Sequence, residues 1–327
     1  MKYQKLGKTD ILVSKIAFGA WGIGGGNVWS DMSHDAKAVG ELLDQASELG
    51  INYVDTAPVY GIGASEKILG LALKGRRDRF IVQTKCCLNW RNEGGEFEYV
   101  RDGYTVMKDH HAQAIRKDVE DSLMRMDLDC IDSMVVHRMS SVVPAEETMA
   151  ELQKLIREGK IRVVFISNST PEDLREYEKY GHVAGVQEKF SMIAPAKKEF
   201  FEACSETGTT FQVYGSLEEG GLAGRKVYER TYPEGDVHTT RIWYKEPARS
   251  AVLHLFDELE PYCAKYECSL ANLVQAWTLA QYENLNLLTG FRRRETMLDT
   301  VKVFDMKLSA EDLAAIEAAA SRAREKF

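Results

Sequence analysis

Two short apolar runs on either side of an amphipathic helix decide the fold: IDSMVV (131–136), AEETMAELQKLIRE (145–158) and IRVVFI (161–166). The outer runs are rich in β-branched residues and have the length of buried strands. The middle run repeats its apolar residues at helical spacing. A strand, a helix and a second strand in this order are typical of a parallel unit, in which the helix crosses over between neighbouring strands.

The same alternation extends through the rest of the chain. Short apolar runs are expected as strands at residues 16–20, 52–55, 80–84, 131–136, 161–166, 184–186, 210–213 and 286–289. Helices are expected at residues 34–49, 64–74, 110–126, 145–158, 171–180, 195–207, 247–266, 270–281, 295–303 and 310–326. Eight alternations close a barrel, and 327 residues suit that fold. We predict one α/β domain over residues 1–327, a (β/α)8 TIM barrel; a doubly wound sheet is the competing architecture.

Two longer segments lack a regular pattern and are expected to be irregular loops. Residues 87–108, rich in Gly, Asn and charge, follow the third strand, and residues 220–246 follow the seventh. Because both follow strands, both would lie at the C-terminal face of the barrel, where enzymes of this fold build their active sites.

Composition and charge exclude several classes of protein. The chain is 44% hydrophobic and 28% charged, which is usual for a soluble globular protein, and its net charge of −8 argues against nucleic-acid binding. No apolar run approaches the roughly 18 to 20 residues that span a bilayer, and the first residues lack an apolar signal segment. The six cysteines form no CxxC pair. We therefore expect a cytoplasmic protein with reduced thiols and no membrane partner.

Four titratable residues of complementary type follow predicted strand ends: Asp55, Tyr60, Lys85 and His137. Each alone also has a structural explanation, but together they suit proton transfer at an oxygen. A phenol titrates near pH ~10, and a nearby ammonium would lower that pKa while a carboxylate held the ammonium in place. His137, as a neutral donor, would polarise a carbonyl. We interpret the four as a catalytic quartet.

The segment DTAPVYGIGASE (55–66) resembles the signature DTAxxYGxGxSE of the aldo-keto reductase superfamily, and the likeness covers almost the whole chain. Further matches are the opening residues 6–14, Thr84-Lys85, Ile131-Asp132 with His137-Arg138, and GKIR (159–162) followed by Ser167-Asn168. The resemblance implies an N-terminal β-hairpin at the barrel bottom and long loops at the C-terminal face. It also implies an oxidoreductase that interconverts a carbonyl group and an alcohol by hydride transfer with a nicotinamide cofactor. The carbonyl would belong to an aldehyde, a ketone or a sugar, and Tyr60 would be the general acid and base.

The resemblance implies a cofactor that lies extended across the barrel mouth. Ser167, Asn168 and Gln187 would bind the carboxamide, Tyr214 would stack on the nicotinamide ring, and residues 217–224 would hold the pyrophosphate. The full expected set is Gly19, Trp21, Ser167, Asn168, Gln187, Tyr214, Ser216, Leu217, Gly220, Gly290, Arg292, Arg293 and Thr296. Guanidinium groups suit a 2′-phosphate, so NADP(H) is favoured and NAD(H) is possible. The run GIGGG (22–26) lacks the GxGxxG spacing and is interpreted as a loop.

Several positions depart from the family pattern around an intact quartet: Phe165, Phe190, Glu218, Glu219, Thr296 and Thr300. Carboxylates at 218 and 219 would repel a pyrophosphate, so we expect both side chains to point outward. These departures from the family pattern leave an alternative function open, that of a nicotinamide-binding regulatory subunit or low-turnover redox sensor with the same fold.

A metal-dependent barrel is not favoured, and no metal is expected. The first strand has no His-x-His pair, and His110 and His111 open a helix, where neighbouring side chains diverge. A solvated or capping role is the interpretation for both. Cys86 and Cys87 are expected to be buried packing residues.

The expected substrate wall is aromatic and cationic: Trp21, Trp29, Trp90 and Arg138, with Asn89 and Arg91 after the third strand and Trp243 and Tyr244 closing over it. Such a wall suits a sugar, a keto-sugar or a short hydroxy- or aryl-aldehyde.

Overall fold

Eight parallel strands close into a barrel in this computed structural model, which describes residues 1–25, 35–91, 93–195 and 198–327. The order around the barrel is β3 (Ile16–Gly19), β4 (Tyr53–Asp55), β5 (Ile81–Cys86), β9 (Ile131–Val136), β10 (Ile161–Ser167), β11 (Val183–Lys189), β12 (Thr210–Tyr214) and β13 (Leu285–Gly290). Strand β13 pairs with β3, which closes the ring. The predicted TIM barrel is therefore confirmed.

Helices surround the barrel and bury the apolar outer face of its strands. Their bounds are α1 (Ala36–Glu48), α2 (Ala64–Leu73), α3 (Ala112–Met126), α4 (Ala145–Arg157), α5 (Pro171–Glu178), α6 (Lys198–Thr207), α7 (Val237–Thr240), α8 (Ala248–Lys265), α9 (Leu270–Leu279), α10 (Arg294–Val301) and α11 (Ala310–Arg324). Each predicted helix is present within a few residues of its expected ends. Helix α1 begins after Asp35, whose carboxylate accepts a hydrogen bond from the amide of Ala38; residue 34, the predicted first residue of this helix, lies outside the described residues.

The predicted N-terminal hairpin is also confirmed. Strands β1 (Tyr3–Lys5) and β2 (Leu12–Ser14) pair antiparallel. Leu6 and Val13 of this hairpin join the apolar cluster that fills the lower barrel interior. The hairpin therefore closes the N-terminal end of the barrel and leaves the C-terminal end open.

Phe165, one of the departures from the family pattern, belongs to that interior plug. Its side chain is fully buried in the same cluster as Tyr53 and Val135. Gly185 on the neighbouring strand makes room for the ring, because a Cβ there would lie 2.0 Å from Cε1 of Phe165. The aromatic residue thus fills the barrel floor and takes no part in the barrel mouth.

The prediction of an irregular loop over residues 87–108 is wrong. Strands β6 (Leu88–Asn89), β7 (Glu96–Arg101) and β8 (Tyr104–Lys108) form a three-stranded antiparallel sheet. The hairpin turns at Asp102-Gly103, where both residues adopt positive φ (51° and 79°), the conformation that an Asp-Gly turn favours. The other long segment, residues 220–246, is mostly irregular and contains α7 and short 3₁₀ turns.

Within the described ranges, every helix is too short or too polar to cross a membrane.

Candidate active site

The carboxyl ends of the barrel strands surround a cleft of about 1210 Å³. Asp55, Tyr60 and His137 line it, and Lys85 is buried beside Asp55. The lining also contains the whole set of residues predicted to bind a cofactor: Gly19, Trp21, Ser167, Asn168, Gln187, Tyr214, Ser216, Leu217, Gly220, Gly290, Arg292, Arg293 and Thr296. The topology therefore gathers residues from all eight barrel strands, or the segments that follow them, around one cleft.

Asp55 and Lys85 form a buried ion pair at the base of the cleft. The Lys85 ammonium donates to both Asp55 carboxylate oxygens and to the backbone carbonyl of Thr56, each at 2.8 Å. The side chains are only 2% and 1% exposed. Burial raises the pKa of Asp55 and lowers that of Lys85, and each charge opposes the shift of the other. All three ammonium protons are therefore engaged within the protein.

The phenol of Tyr60 lies next to this pair. The Lys85 ammonium nitrogen is 4.9 Å from the centre of the Tyr60 ring. Burial raises the pKa of Tyr60 well above its ordinary value, and the Asp55 carboxylate adds to the rise. The predicted net lowering of this pKa is therefore wrong for this arrangement, because burial disfavours the phenolate and the Asp55 carboxylate opposes the Lys85 ammonium. The phenol is kept protonated, which is the form that an acid needs.

His137 faces Tyr60 across the cleft, with ring centres 6.2 Å apart and the ring planes nearly perpendicular. Burial lowers the pKa of His137 well below its ordinary value, and the nearby charges of Lys85, Arg138 and Arg101 lower it further. The imidazole is therefore neutral at pH 7, as predicted. Its Nδ1 is buried and has no hydrogen-bond partner among the described residues.

The predicted carboxamide ligands form a hydrogen-bonded network of their own. The hydroxyl of Ser167 donates to the backbone carbonyl of Gln187 at 2.6 Å, and the Asn168 amide donates to the backbone carbonyl of His137 at 2.9 Å. The Tyr214 phenol donates to Oδ1 of Asn168 at 2.7 Å. Asn168 adopts positive φ (54°), which turns its side chain between Tyr214 and His137.

Gln187 makes more hydrogen bonds within the barrel than the sequence suggested. Its amide nitrogen donates to Asp55 at 2.9 Å and to Gln212 at 2.7 Å, both inside the barrel. Only its oxygen remains for a cleft ligand. Gln187 therefore helps to hold the Asp55 carboxylate, a role that its predicted contact with a carboxamide did not include.

Neither of the two unusual acids of the loop after β12 turns outward to solvent. Glu218 leaves the cleft lining but is buried, where it accepts hydrogen bonds from Ser191 at 2.6 Å and pairs with Lys189 at 2.9 Å. Glu219 lines the cleft and pairs with Arg241 at 2.6 Å. The expectation that both side chains point outward is therefore wrong. Lys189 compensates the buried charge of Glu218, and Arg241, 22 positions further along the chain, compensates that of Glu219.

The segment after β13 brings two guanidinium groups to the cleft. Arg292 and Arg293 line it directly before helix α10. Arg294 instead lies 3.6 Å from Glu48. Thr296 lines the cleft, whereas Thr300 is buried outside the lining.

Several residues predicted for the substrate wall lie elsewhere. Trp90 is outside the cleft lining and packs beneath the guanidinium of Arg125, whose Cζ is 5.6 Å from the ring centre. Arg91 pairs with Asp118 at 2.6 Å. Trp243 is 1% exposed and packs against Tyr228, so it cannot close over a substrate. Asn89 and Tyr244 are likewise absent from the lining, and Phe190 stacks on Trp277 in the outer layer. Trp29 lies outside the described residues; Trp21 and Arg138 line the cleft as predicted.

Tyr99 and Arg101 are among the cleft residues that the sequence analysis missed. Both come from β7, in the segment that was predicted to be irregular. The alternating pattern before Asp102-Gly103 was the signal that could have revealed this hairpin.

The remaining histidine and cysteine predictions have mixed outcomes. His110 is buried and bonds the backbone carbonyl of Arg138 at 2.8 Å, so its predicted solvated or capping role is wrong. Cys86 and Cys87 are buried as predicted. Among residues 1–25, 35–91, 93–195 and 198–327, no group of three or more His, Cys, Asp and Glu side chains could hold a metal ion.

Comparison with known proteins extends these observations. Residues 15–321 match the model of the Aldo/keto reductase family. The NADH-specific methylglyoxal reductase of Escherichia coli (strain K12) is 34% identical over 317 residues, which cover 95% of this chain and 96% of that protein.

Two solved structures are also similar over nearly the whole chain. The glycerol dehydrogenase of Gluconobacter oxydans has 28% identity and a TM-score of 0.86, covering 98% of this chain and 95% of its own. The holo form of an aldo-keto reductase from Bacillus halodurans has 27% identity and a TM-score of 0.77, covering 98% and 96%.

Proposed function

Since the chain belongs to the aldo/keto reductase family, we propose that it interconverts a carbonyl compound and an alcohol by hydride transfer with a nicotinamide cofactor. The observation that carries this proposal is the Tyr60 phenol, held protonated in the cleft between the buried Asp55–Lys85 pair and neutral His137. A bound nicotinamide supplies or accepts the hydride; the protein must supply the proton and the orientation. The chain over residues 1–327 would act as one catalytic domain.

The four side chains divide the work of proton transfer. In reduction, the Tyr60 hydroxyl donates its proton to the carbonyl oxygen as that oxygen becomes an alkoxide. The phenolate that remains is stabilised by the Lys85 ammonium, so the cation acts as the proton leaves. Asp55 keeps Lys85 charged and in place. Neutral His137 donates a hydrogen bond that orients the carbonyl. In oxidation the phenolate removes the proton of the alcohol.

The cleft residues fit a nicotinamide dinucleotide. The cleft of about 1210 Å³ exceeds the roughly 300–1,000 Å³ of pockets for drug-sized ligands, which leaves room for a dinucleotide and a small substrate. Tyr214 offers an aromatic ring, Asn168 and Ser167 offer amide and hydroxyl groups, and the glycine-containing loop 215–224 offers backbone amides. These residues would hold the cofactor.

Arg292 and Arg293 support a preference for NADP(H), because guanidinium groups bind a phosphate ester well. The NADH-specific relative makes NAD(H) the competing cofactor. Replacing both arginines by Gln should weaken NADPH binding far more than NADH binding, measured by fluorescence titration. Arg294→Gln is the matched control, since that side chain faces Glu48. Equal losses for the two cofactors would refute the phosphate role.

The substrate is proposed to be a small polar carbonyl, such as a sugar, a keto-sugar or a short hydroxy- or aryl-aldehyde. The test is turnover of such a panel by the purified chain with NADPH and with NADH. Cofactor labelled with deuterium at the reactive carbon should deliver the label to the carbinol carbon of the product. Absence of turnover for every carbonyl at saturating cofactor would overturn the proposal and favour the regulatory alternative.

A further inference from the structure

The part of the cleft around Tyr60 and His137 is more basic than the chain as a whole. We call it the substrate end; its other lining residues include Trp21, Val59, Leu88, Tyr99, Arg101 and Arg138. Its one lining acid among the described residues is Asp55, which is bonded to Lys85 through both oxygens. The chain carries a net charge of −8, so this local excess of cations is not a general property of its surface.

Arg101 is the central cation of the substrate end. It lies at the end of β7, in the hairpin that reaches over the barrel mouth, and its guanidinium carbon is 4.7 Å from the centre of the Tyr99 ring. Such stacking holds a guanidinium plane in position and leaves its N–H edges free to bind. Within the described part of the chain, Arg101 pairs with no carboxylate, whereas most arginines of the molecule do.

Arg138 is the second cation, and it follows His137 directly in sequence. Its Nε is 3.3 Å from a carboxylate oxygen of Glu98, another residue of β7, and its side chain is 46% exposed. Counting Glu98, Arg101 and Arg138 together, the group still carries one net positive charge. A positive group beside the reacting residues favours a negatively charged ligand.

Both cations are close enough to act on the reacting groups. Burial lowers the pKa of His137, and Lys85, Arg138 and Arg101 lower it further in that order. Burial raises the pKa of Tyr60, and Arg101 opposes that rise. An anion bound at Arg101 would therefore sit within electrostatic reach of the carbonyl site.

We propose that the substrate carries a carboxylate or phosphate group, which Arg101 and Arg138 bind while the carbonyl lies against Tyr60 and His137. This inference rests on the proposed function, of which it specifies the substrate class. A guanidinium binds either anion through two parallel N–H bonds, so both chemistries suit the site. A neutral substrate would leave the Arg101 charge partly desolvated with no counter-charge, which weakens its binding.

The test compares pairs of carbonyl substrates, at saturating cofactor, in which one member carries an anionic group and the other is neutral. One pair is glyceraldehyde 3-phosphate with glyceraldehyde, and the other is 4-carboxybenzaldehyde with 4-methylbenzaldehyde. We expect kcat/KM to favour an anionic member by about tenfold to a hundredfold, the worth of one charged hydrogen bond. The two pairs distinguish a phosphate from a carboxylate as the recognised group.

Variants assign the effect to its residue. Arg101→Gln should lower the preference for the anionic substrate, measured as the ratio of its kcat/KM to that of its neutral partner, by about tenfold or more. Arg138→Gln should act in the same direction with a smaller effect, because Glu98 already neutralises part of its charge. Arg175→Gln, on α5 and paired with Glu206, is the matched control and should change neither substrate.

The outcomes separate this inference from the proposed function. Equal kcat/KM for both members of both pairs overturns the anionic substrate and leaves the carbonyl reductase standing. An anionic preference that survives in both Arg101→Gln and Arg138→Gln overturns the assignment to this group. Absence of turnover by the unaltered chain, with neutral as well as anionic carbonyls, overturns the proposed function itself.

Discussion

Replacing Lys85 by Met tests how the buried ion pair holds the site together. Methionine approximates the length of lysine but removes the charge and the three hydrogen bonds to Asp55 and Thr56. Asp55, 2% exposed in its side chain, then keeps one described side-chain donor, the Gln187 amide. Removal of one partner from a buried ion pair costs about 3–5 kcal/mol, so we expect the free energy of unfolding to fall by about that amount.

The assay is urea denaturation of the single variant and of the double variant Lys85→Met/Asp55→Asn. The double variant removes both charges, so it should be more stable than Lys85→Met alone by about 2 kcal/mol or more. Equal stability of the two variants at pH 7 would refute the reasoning, because the cost would then come from lost packing and not from the uncompensated carboxylate.

The loss of stability in Lys85→Met should also depend on pH. Burial already raises the pKa of Asp55, and loss of the ammonium removes the main opposing charge, so the pKa in the folded variant rises further. The folded state then binds the proton more tightly than the unfolded state, whose Asp pKa is about 3.9. The defect should therefore be absent below about pH 4 and grow as pH rises toward the folded pKa. A defect that does not change with pH would contradict this account.

Two further predictions concern the barrel floor and the reaction. Gly185→Ala should lower the free energy of unfolding, measured by urea denaturation, by at least ~1–3 kcal/mol, because its Cβ would lie 2.0 Å from Phe165. Adding Phe165→Leu to this variant should restore most of the lost stability. An unchanged urea midpoint for Gly185→Ala alone would contradict the proposed packing. Carbonyl reduction should have a kcat that is flat between about pH 6 and 9, since Tyr60 stays protonated and His137 neutral, while alcohol oxidation should accelerate with rising pH as the phenolate becomes accessible. A reduction profile that falls steeply near pH 7 would place the titrating acid elsewhere.

Local pattern was sufficient to predict the barrel because each strand and helix has its own signature. The β-branched runs from 131 to 166 identify their elements without any long-range information, and eight such alternations leave few architectures open. The hairpin of β7 and β8 was missed because its charged residues obscured the alternation that ends at Asp102-Gly103. With it were missed Tyr99 and Arg101, two residues of the candidate site.

Charge compensation was the part that sequence could not predict. Glu219 is tolerated in the cleft because Arg241 pairs with it, and this partner is identified only by the folded loop. The protonation state of Tyr60 depends on which groups accept hydrogen bonds from the Lys85 ammonium. One of these acceptors is the backbone carbonyl of Thr56, which has no sequence signature. Such details follow from three-dimensional arrangement and not from residue type.

The central claim is that Tyr60 is the proton donor, and the most direct measurement is steady-state carbonyl reduction by Tyr60→Phe beside the unaltered chain. Phenylalanine keeps the ring and removes only the hydroxyl. We predict that kcat falls by at least about a hundredfold, the usual contribution of a positioned acid. The Kd for NADPH should remain within a few-fold, because the hydroxyl is not among the predicted cofactor contacts. Ordinary turnover by Tyr60→Phe would contradict the account.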